Sequence, residues 1–233
     1  MLIGALATDY DGTLAAHGTV ADTTVASLRR LKASGRKLVM VSGRELPDLR
    51  QVFAHIDLFD GLVLENGALL YWPDTDREQM LAPAPPAAFV EALRRRGLNP
   101  LAVGRTIVAT WSQYAGLVEE AIGETGIDWL TILNKNSVMC LPPGVDKASG
   151  LRAALETLGL SARNVVGVGD AENDHPFLDA CGLGVATANA LPALKTSADL
   201  VTEGEDGAGV AWLIDRILAD EAALLAGRRR QTA

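Results

Sequence analysis

"LATDYDGTLA", residues 6–15, sets an apolar run against an abrupt polar stop. Leu6 to Thr8 read as the end of a buried strand, and Gly12 with Thr13 as the turn behind it. Between them stand Asp9 and Asp11, two carboxylates separated by one tyrosine. Like charges at a strand tip repel, so the arrangement calls for a cation beside them.

Further apolar, β-rich runs occur at 2–9, 36–43, 60–67, 164–170, 182–188 and 198–204. Most are nearly continuous in hydrophobicity, as parallel strands covered on both faces are. Helical patterns at 23–35, 45–56, 147–159 and 174–182 alternate with them, and a last one spans 207–227. That alternation predicts right-handed βαβ units: a Rossmann-like, doubly wound α/β core.

Residues 79–142 break the rhythm. They begin in the proline-rich "LAPAPPAAFVEALRRRG" and read as helix, strand pair, helix, strand pair. Because βα alternation resumes near Asp146, a small α+β unit inserted into the core is expected, with 1–78 and 143–233 forming the core. The flanking Pro83, Pro85, Pro86, Pro142 and Pro143 suit linkers about which such an insert moves as a lid.

The bulk composition excludes several function classes. The 233 residues are 48% hydrophobic and 21% charged, with a net charge of −8. No basic footprint for nucleic acid exists apart from Arg228, Arg229 and Arg230, which read as a solvated tail. Neither a leader nor an apolar stretch of membrane-spanning length is read at "MLIGALA". Cys140 and Cys181 are too few for a disulfide framework and read as reduced thiols in a cytoplasmic protein. His17, His55 and His175 are too scattered for a zinc site.

Polar groups gather at the ends of the expected strands: Asp9 and Asp11, then Ser42, Gly43 and Arg44, then Asp170, Asn173 and Asp174. In an open parallel sheet, ligands lie outside the carboxyl ends of the strands, so these groups converge. Lys147, at the start of the helix before the fourth run, is near enough in sequence to join them.

This pattern resembles the haloacid dehalogenase superfamily. "DYDGT" (9–13) is similar to its first motif, "VMVSGR" (39–44) to the second, Lys147 in "GVDKASGL" (144–151) to the third, and "GVGDAENDHPFL" (167–178) to the fourth. "ENGA" (65–68) and "GVATANALPALKTSAD" (184–199) resemble the Cof-type sugar-phosphatase branch. Two departures stand out. Ala148 follows the lysine where glycine is usual, which could alter how the helix starts. Only about 28 residues separate Asp11 from the second motif, leaving no room there for the helical cap of other branches, mutases included.

The resemblance implies a phosphatase in which Asp9 attacks phosphorus and Asp11 serves as general acid and base. It implies Mg²⁺ held by Asp9, Asp170 and the backbone carbonyl of Asp11, since a phosphate dianion must be neutralised before a carboxylate attacks it. Ser42 and Lys147 would hold the phosphoryl oxygens, with Gly43 and Asn173 nearby, while Gly12 and Thr13 shape a turn whose amides face the phosphate. Asp174 either orients the lysine and the metal site or caps the following helix. Arg44 is either a substrate contact or half of a structural ion pair.

By the same resemblance the insert is a cap over the site. Trp111, Arg105, Asn134, Lys135 and Asn136 are its candidate selectors for a small phosphorylated metabolite. A sugar phosphate is expected, with phosphoglycolate or another small phospho-acid as the alternative, acted on by a monomer or homodimer without nucleic-acid or membrane partners. A DxD glycosyltransferase would leave Lys147 and Asp170 without a role. "VGVGDAE" fails as a dinucleotide loop because Glu172 stands where a third glycine belongs.

Overall fold

The computed structural model describes residues 3–134 and 136–226. Lys135 and the Arg228–Arg230 run lie outside the described residues.

The chain opens with strand β1 (Ala5–Thr8), helix α1 (Asp22–Ala33), β2 (Lys37–Val41), α2 (Leu46–Val52) and β3 (Gly61–Leu64). A hairpin follows, β4 (Leu69–Trp72) and β5 (Arg77–Met80). Next come α3 (Ala87–Arg95), β6 (Leu101–Val103), β7 (Val108–Trp111), α4 (Ala115–Thr125), β8 (Leu130–Asn134) and β9 (Ser137–Leu141). The chain then runs through α5 (Lys147–Thr157), β10 (Val165–Gly169), α6 (His175–Ala180), β11 (Leu183–Ala186), α7 (Pro192–Ser197), β12 (Leu200–Val201) and α8 (Asp206–Ala226).

Eight strands form one sheet in the order β12-β11-β10-β1-β2-β3-β4-β5. The first six in that order pair in parallel, while β4 and β5 are antiparallel. Alternate side chains go to opposite faces. Leu6, Leu38, Met40 and Leu62 pack beneath α1, α2 and α8 through Leu28, Leu31, Leu49, Leu213 and Ile214. Ala5, Ala7, Val39 and Val41 pack under α5, α6 and α7 through Leu151, Leu155, Phe177 and Leu194. Helices on both faces make this the Rossmann-like α/β fold expected.

The β4–β5 hairpin was not foreseen. "ALLYW" trails the third apolar run without a break, and the edge strand β5 is polar, as sheet edges facing water are. The core sheet therefore runs on to Met80. Two shorter differences have local causes: α2 ends at Val52 where Phe53 turns extended, and α7 is a proline-started piece of six residues.

Between β5 and α5 the chain builds a second sheet, ordered β6-β7-β9-β8 and antiparallel throughout. One face packs on α3 and α4 through Val108, Val138, Phe89 and Val118. The other face presents Ile107, Met139 and Leu141 toward Ala68 and Ala82 of the larger unit. No helix among the described residues is long and apolar enough to cross a membrane.

Candidate active site

β1 lies inside the eight-stranded sheet, with β10 and β2 as its parallel neighbours, so their carboxyl ends deliver side chains to one spot. Asp9 follows β1 directly and its N–H donates to the Val168 carbonyl of β10 at 2.9 Å. Asp170 follows β10, and the Glu172–Asp174 turn behind it brings in Asp174. One oxygen from each of Asp9, Asp170 and Asp174 lies within 4.8 Å of the others, and all three residues are buried.

Lys147 comes from the first residue of α5. A capping box sets that helix: Asp146 Oδ1 accepts the Ser149 N–H at 2.7 Å, and the Asp146 N–H donates back to Ser149 Oγ at 3.0 Å. Ala148 is buried in the core and leaves the helix start intact. Lys147, 1% exposed, donates to Asp9 Oδ1 at 2.6 Å and Asp174 Oδ1 at 2.5 Å. Burial works against its charge, yet Asp174 and Asp9 outweigh that and hold the ammonium above the usual lysine range.

Asp9 shows the opposite balance. Burial pushes its carboxyl up to about 8; Lys147 pulls it down, and Asp174 and Asp170 push it further up. Three carboxyl groups thus crowd one ammonium in a desolvated site that offers oxygen donors only. That donor set fits a hard divalent cation such as Mg²⁺.

The remaining expected residues divide. Thr13 is fully buried and its hydroxyl donates to Asp170 Oδ1 at 3.0 Å. The Gly12 and Thr13 N–H groups close the turn onto the Ala15 and Tyr10 carbonyls at 2.9 and 3.4 Å. Ser42 is buried and its Oγ accepts the Arg44 N–H at 3.1 Å. Asp174 makes no side-chain cap to α6; its Oδ2 accepts the N–H groups of Asp170 and Ala171 at 2.8 and 2.9 Å. These contacts tie Asp174 to Lys147 and to the loop that carries Asp170.

Arg44 forms an ion pair and also borders the cavity. Its Nε and Nη2 grip Asp11 Oδ2 and Oδ1 at 2.7 and 2.8 Å, its Nη1 reaches Asp48, and it lies over the Tyr10 ring. A planar fork matched to a carboxylate is what arginine offers and lysine does not. Asp11 is outside the three-aspartate cluster, with a side chain 43% exposed.

A cavity of about 300 Å³ opens over these groups. Asp9, Asp11, Gly43, Arg44, Ala171 and Asn173 form its floor, and Asn134, Asn136, Ser137 and Met139 of the smaller sheet its roof. Asn134 and Asn136 are thus brought to the site. Arg105 is not: it pairs with Glu78 at 2.5 Å, and Trp111 is half exposed away from the cavity lining. Asn66 went unassigned in the sequence, yet it is buried beside the site and its Oδ1 accepts Asn173 Nδ2 at 2.9 Å. Its place in "ENGA" was the available signal.

Comparison with known proteins identifies the family. The sequence model of the haloacid dehalogenase-like hydrolase family matches residues 6–94 and 106–214. Phosphoglycolate phosphatase 2 of Saccharolobus solfataricus is 30% identical over 223 residues, covering 92% of each chain. The phosphoglycolate phosphatase of Methanothermobacter thermautotrophicus is 30% identical over 220 residues, covering 92% of this chain and 98% of its own. Among solved structures, a subclass IIB sugar phosphatase of the superfamily superposes with a TM-score of 0.73 at 18% identity, covering 92% of this chain and 97% of its own. With groups from the ends of β1 and β10 and the start of α5 gathered at one buried site and a family match along nearly the whole chain, this protein belongs to the haloacid dehalogenase-like hydrolases and is a phosphatase of that family.

Proposed function

We propose that the chain hydrolyses a small phosphate monoester through an aspartyl-phosphate on Asp9. The observation that carries this reading is the buried cluster itself: Asp9 at the tip of β1, held by Lys147, with Asp170 and Asp174 alongside. In the proposed reaction an Asp9 oxygen attacks phosphorus in line, and the bond from phosphorus to the ester oxygen breaks. Asp11 gives its proton to the departing alkoxide. It then takes a proton from water, which attacks the acyl phosphate, releasing inorganic phosphate and restoring Asp9.

Lys147 offsets the charge gathered around Asp9 while Asp174 keeps the ammonium in place. Ser42 and Asn173 border the phosphoryl site. Mg²⁺ would be held by Asp9, Asp170 and the Asp11 carbonyl, and when bound it supplies charge neutralisation for the phosphoryl dianion. Segment 79–142 acts as the cap, its Asn134 and Asn136 choosing among substrates.

Phosphoglycolate is the first substrate to test, because full-length relatives at 30% identity carry that activity in their names. A sugar phosphate, expected from the branch resemblance, is the second reading. It is supported by the amides of Asn134 and Asn136 and the hydroxyl of Ser137 in the roof, groups that pair well with hydroxyls. A panel of phosphorylated metabolites assayed for Mg²⁺-dependent phosphate release decides between them, with Asp9→Asn as control. Release by the parent and none by Asp9→Asn is expected; equal release from both would sink the covalent mechanism.

A further inference from the structure

Glu65 is a buried carboxyl group that no step of the hydrolysis uses. It sits in the turn after β3 at 1% exposure and φ +49°, a backbone conformation uncommon outside glycine. Its oxygens reach out of the larger unit into the turn between β6 and β7. Oε1 accepts the Arg105 N–H at 3.1 Å. Oε2 accepts the N–H groups of Thr106 and Ile107 at 2.7 and 3.2 Å, and the Thr106 hydroxyl at 2.8 Å. Successive amides wrapped around one anion form a backbone nest, here filled by the protein's own carboxyl group. Gly104 completes the enclosure, since a Cβ at that position would lie 2.7 Å from Oε2.

The same turn is tied to the catalytic face. The Glu65 N–H donates to the Arg44 carbonyl at 3.1 Å and the Asn66 N–H to the Ser42 carbonyl at 3.0 Å. Asn66 also receives Asn173, as described. Gly67 lies so close to the start of α5 that a Cβ on it would meet the Asp146 carbonyl oxygen at 1.9 Å, one residue before Lys147. Three consecutive residues therefore touch the segments bearing Ser42, Lys147 and Asn173, and the smaller sheet as well.

We infer that Glu65 is a positioning residue that latches the β6–β7 turn, and with it the inserted sheet, in register with the phosphate site. Glu65 is not among the cavity-lining residues, so it acts through what it holds. The Arg105–Glu78 pair is a weaker second tie, because its arginine is largely in water. The latch's effect on turnover rests on the phosphatase reading; its effect on the insert does not.

Two variants of the full chain attack this contact from opposite sides. Glu65→Gln removes the charge, and Gly104→Ala crowds the carboxyl group while leaving Glu65 in place, at a backbone position outside the left-handed region. Hydrogen exchange followed by mass spectrometry is expected to show the 104–107 amides exchanging at least about tenfold faster in both, with β1 and β10 still protected. The KM for the best ester should rise about tenfold or more while kcat changes less, the scale set by losing charge-assisted hydrogen bonds. Unchanged exchange in that turn, or exchange that rises equally through β1 and β10, would overturn the latch. Faster exchange with an unchanged KM would overturn its role in positioning the insert for substrate. A parent protein that cleaves no ester would overturn the phosphatase reading instead, and the exchange comparison would still decide the latch.

Discussion

The two sheets divide the labour of the site. In the larger one, β1, β3, β4, β10 and β11 are buried along their whole length, and the charged groups of the site hang from the carboxyl ends of its parallel strands or from helices beside them. In the smaller one, β6 and β8 stay partly exposed, and the groups that its described residues turn toward the cavity are two amides, a hydroxyl and a thioether. Charges act strongly where water is excluded, so Asp9, the proposed nucleophile, belongs with the lysine and the acidic cluster on the buried framework. The selection of substrate proposed for the smaller sheet asks for complementary shape and hydrogen bonds, which a half-exposed sheet supplies.

Mutations should separate the two regions by kinetic signature. The largest effect after loss of the nucleophile is expected from Asp11→Asn, with kcat down by about 10²–10⁴ and KM little changed, the usual weight of a positioned general acid and base. Steady-state phosphate release measures this, and a kcat within a few-fold of the parent would remove Asp11 from that role. Next comes Arg44→Lys, which keeps the charge but loses the two-pronged grip on Asp11. A fall in kcat of about tenfold to a hundredfold is expected, consistent with a loss of roughly 1.5–3 kcal/mol in charge-assisted hydrogen bonding. An Arg44→Lys enzyme with parental kcat would show that the pair is only structural.

The smallest change is expected in the roof. Asn136→Ala should shift KM by up to about tenfold and reorder the preferred esters while kcat stays within about twofold, as loss of uniform binding does. A kcat drop rivalling that of Asp11→Asn would break the division between the sheets.

Much of this was legible in the sequence because parallel strands are continuous apolar runs and the chemistry sits at their ends. Asp9 and Asp170 stand out that way, and Lys147 by its motif at the start of a helix. What stayed hidden depends on pairing across distance. The edge strand β5 has no apolar alternation to betray it, since only β4 covers it on one side. Glu65 receives its partners from a turn some forty residues onward, and nothing in "ENGA" says that Arg105, Thr106 and Ile107 will offer their amides. Arg44 was equally compatible with a phosphate or a carboxylate. The approach of Asp11 and Asp48 to its fork comes from residues folded beside it.

The unforeseen β4–β5 hairpin has a mechanical meaning. β4 runs back down the sheet and β5 returns, so the chain leaves the sheet again on the catalytic side, but at its edge. Four strand spacings separate β5 from β1, about 19 Å at the usual interval. The smaller sheet is thus carried on a lever arm. A rotation of only about 10° at that edge moves the groups above Asp9 by about 3 Å, the length of one hydrogen bond.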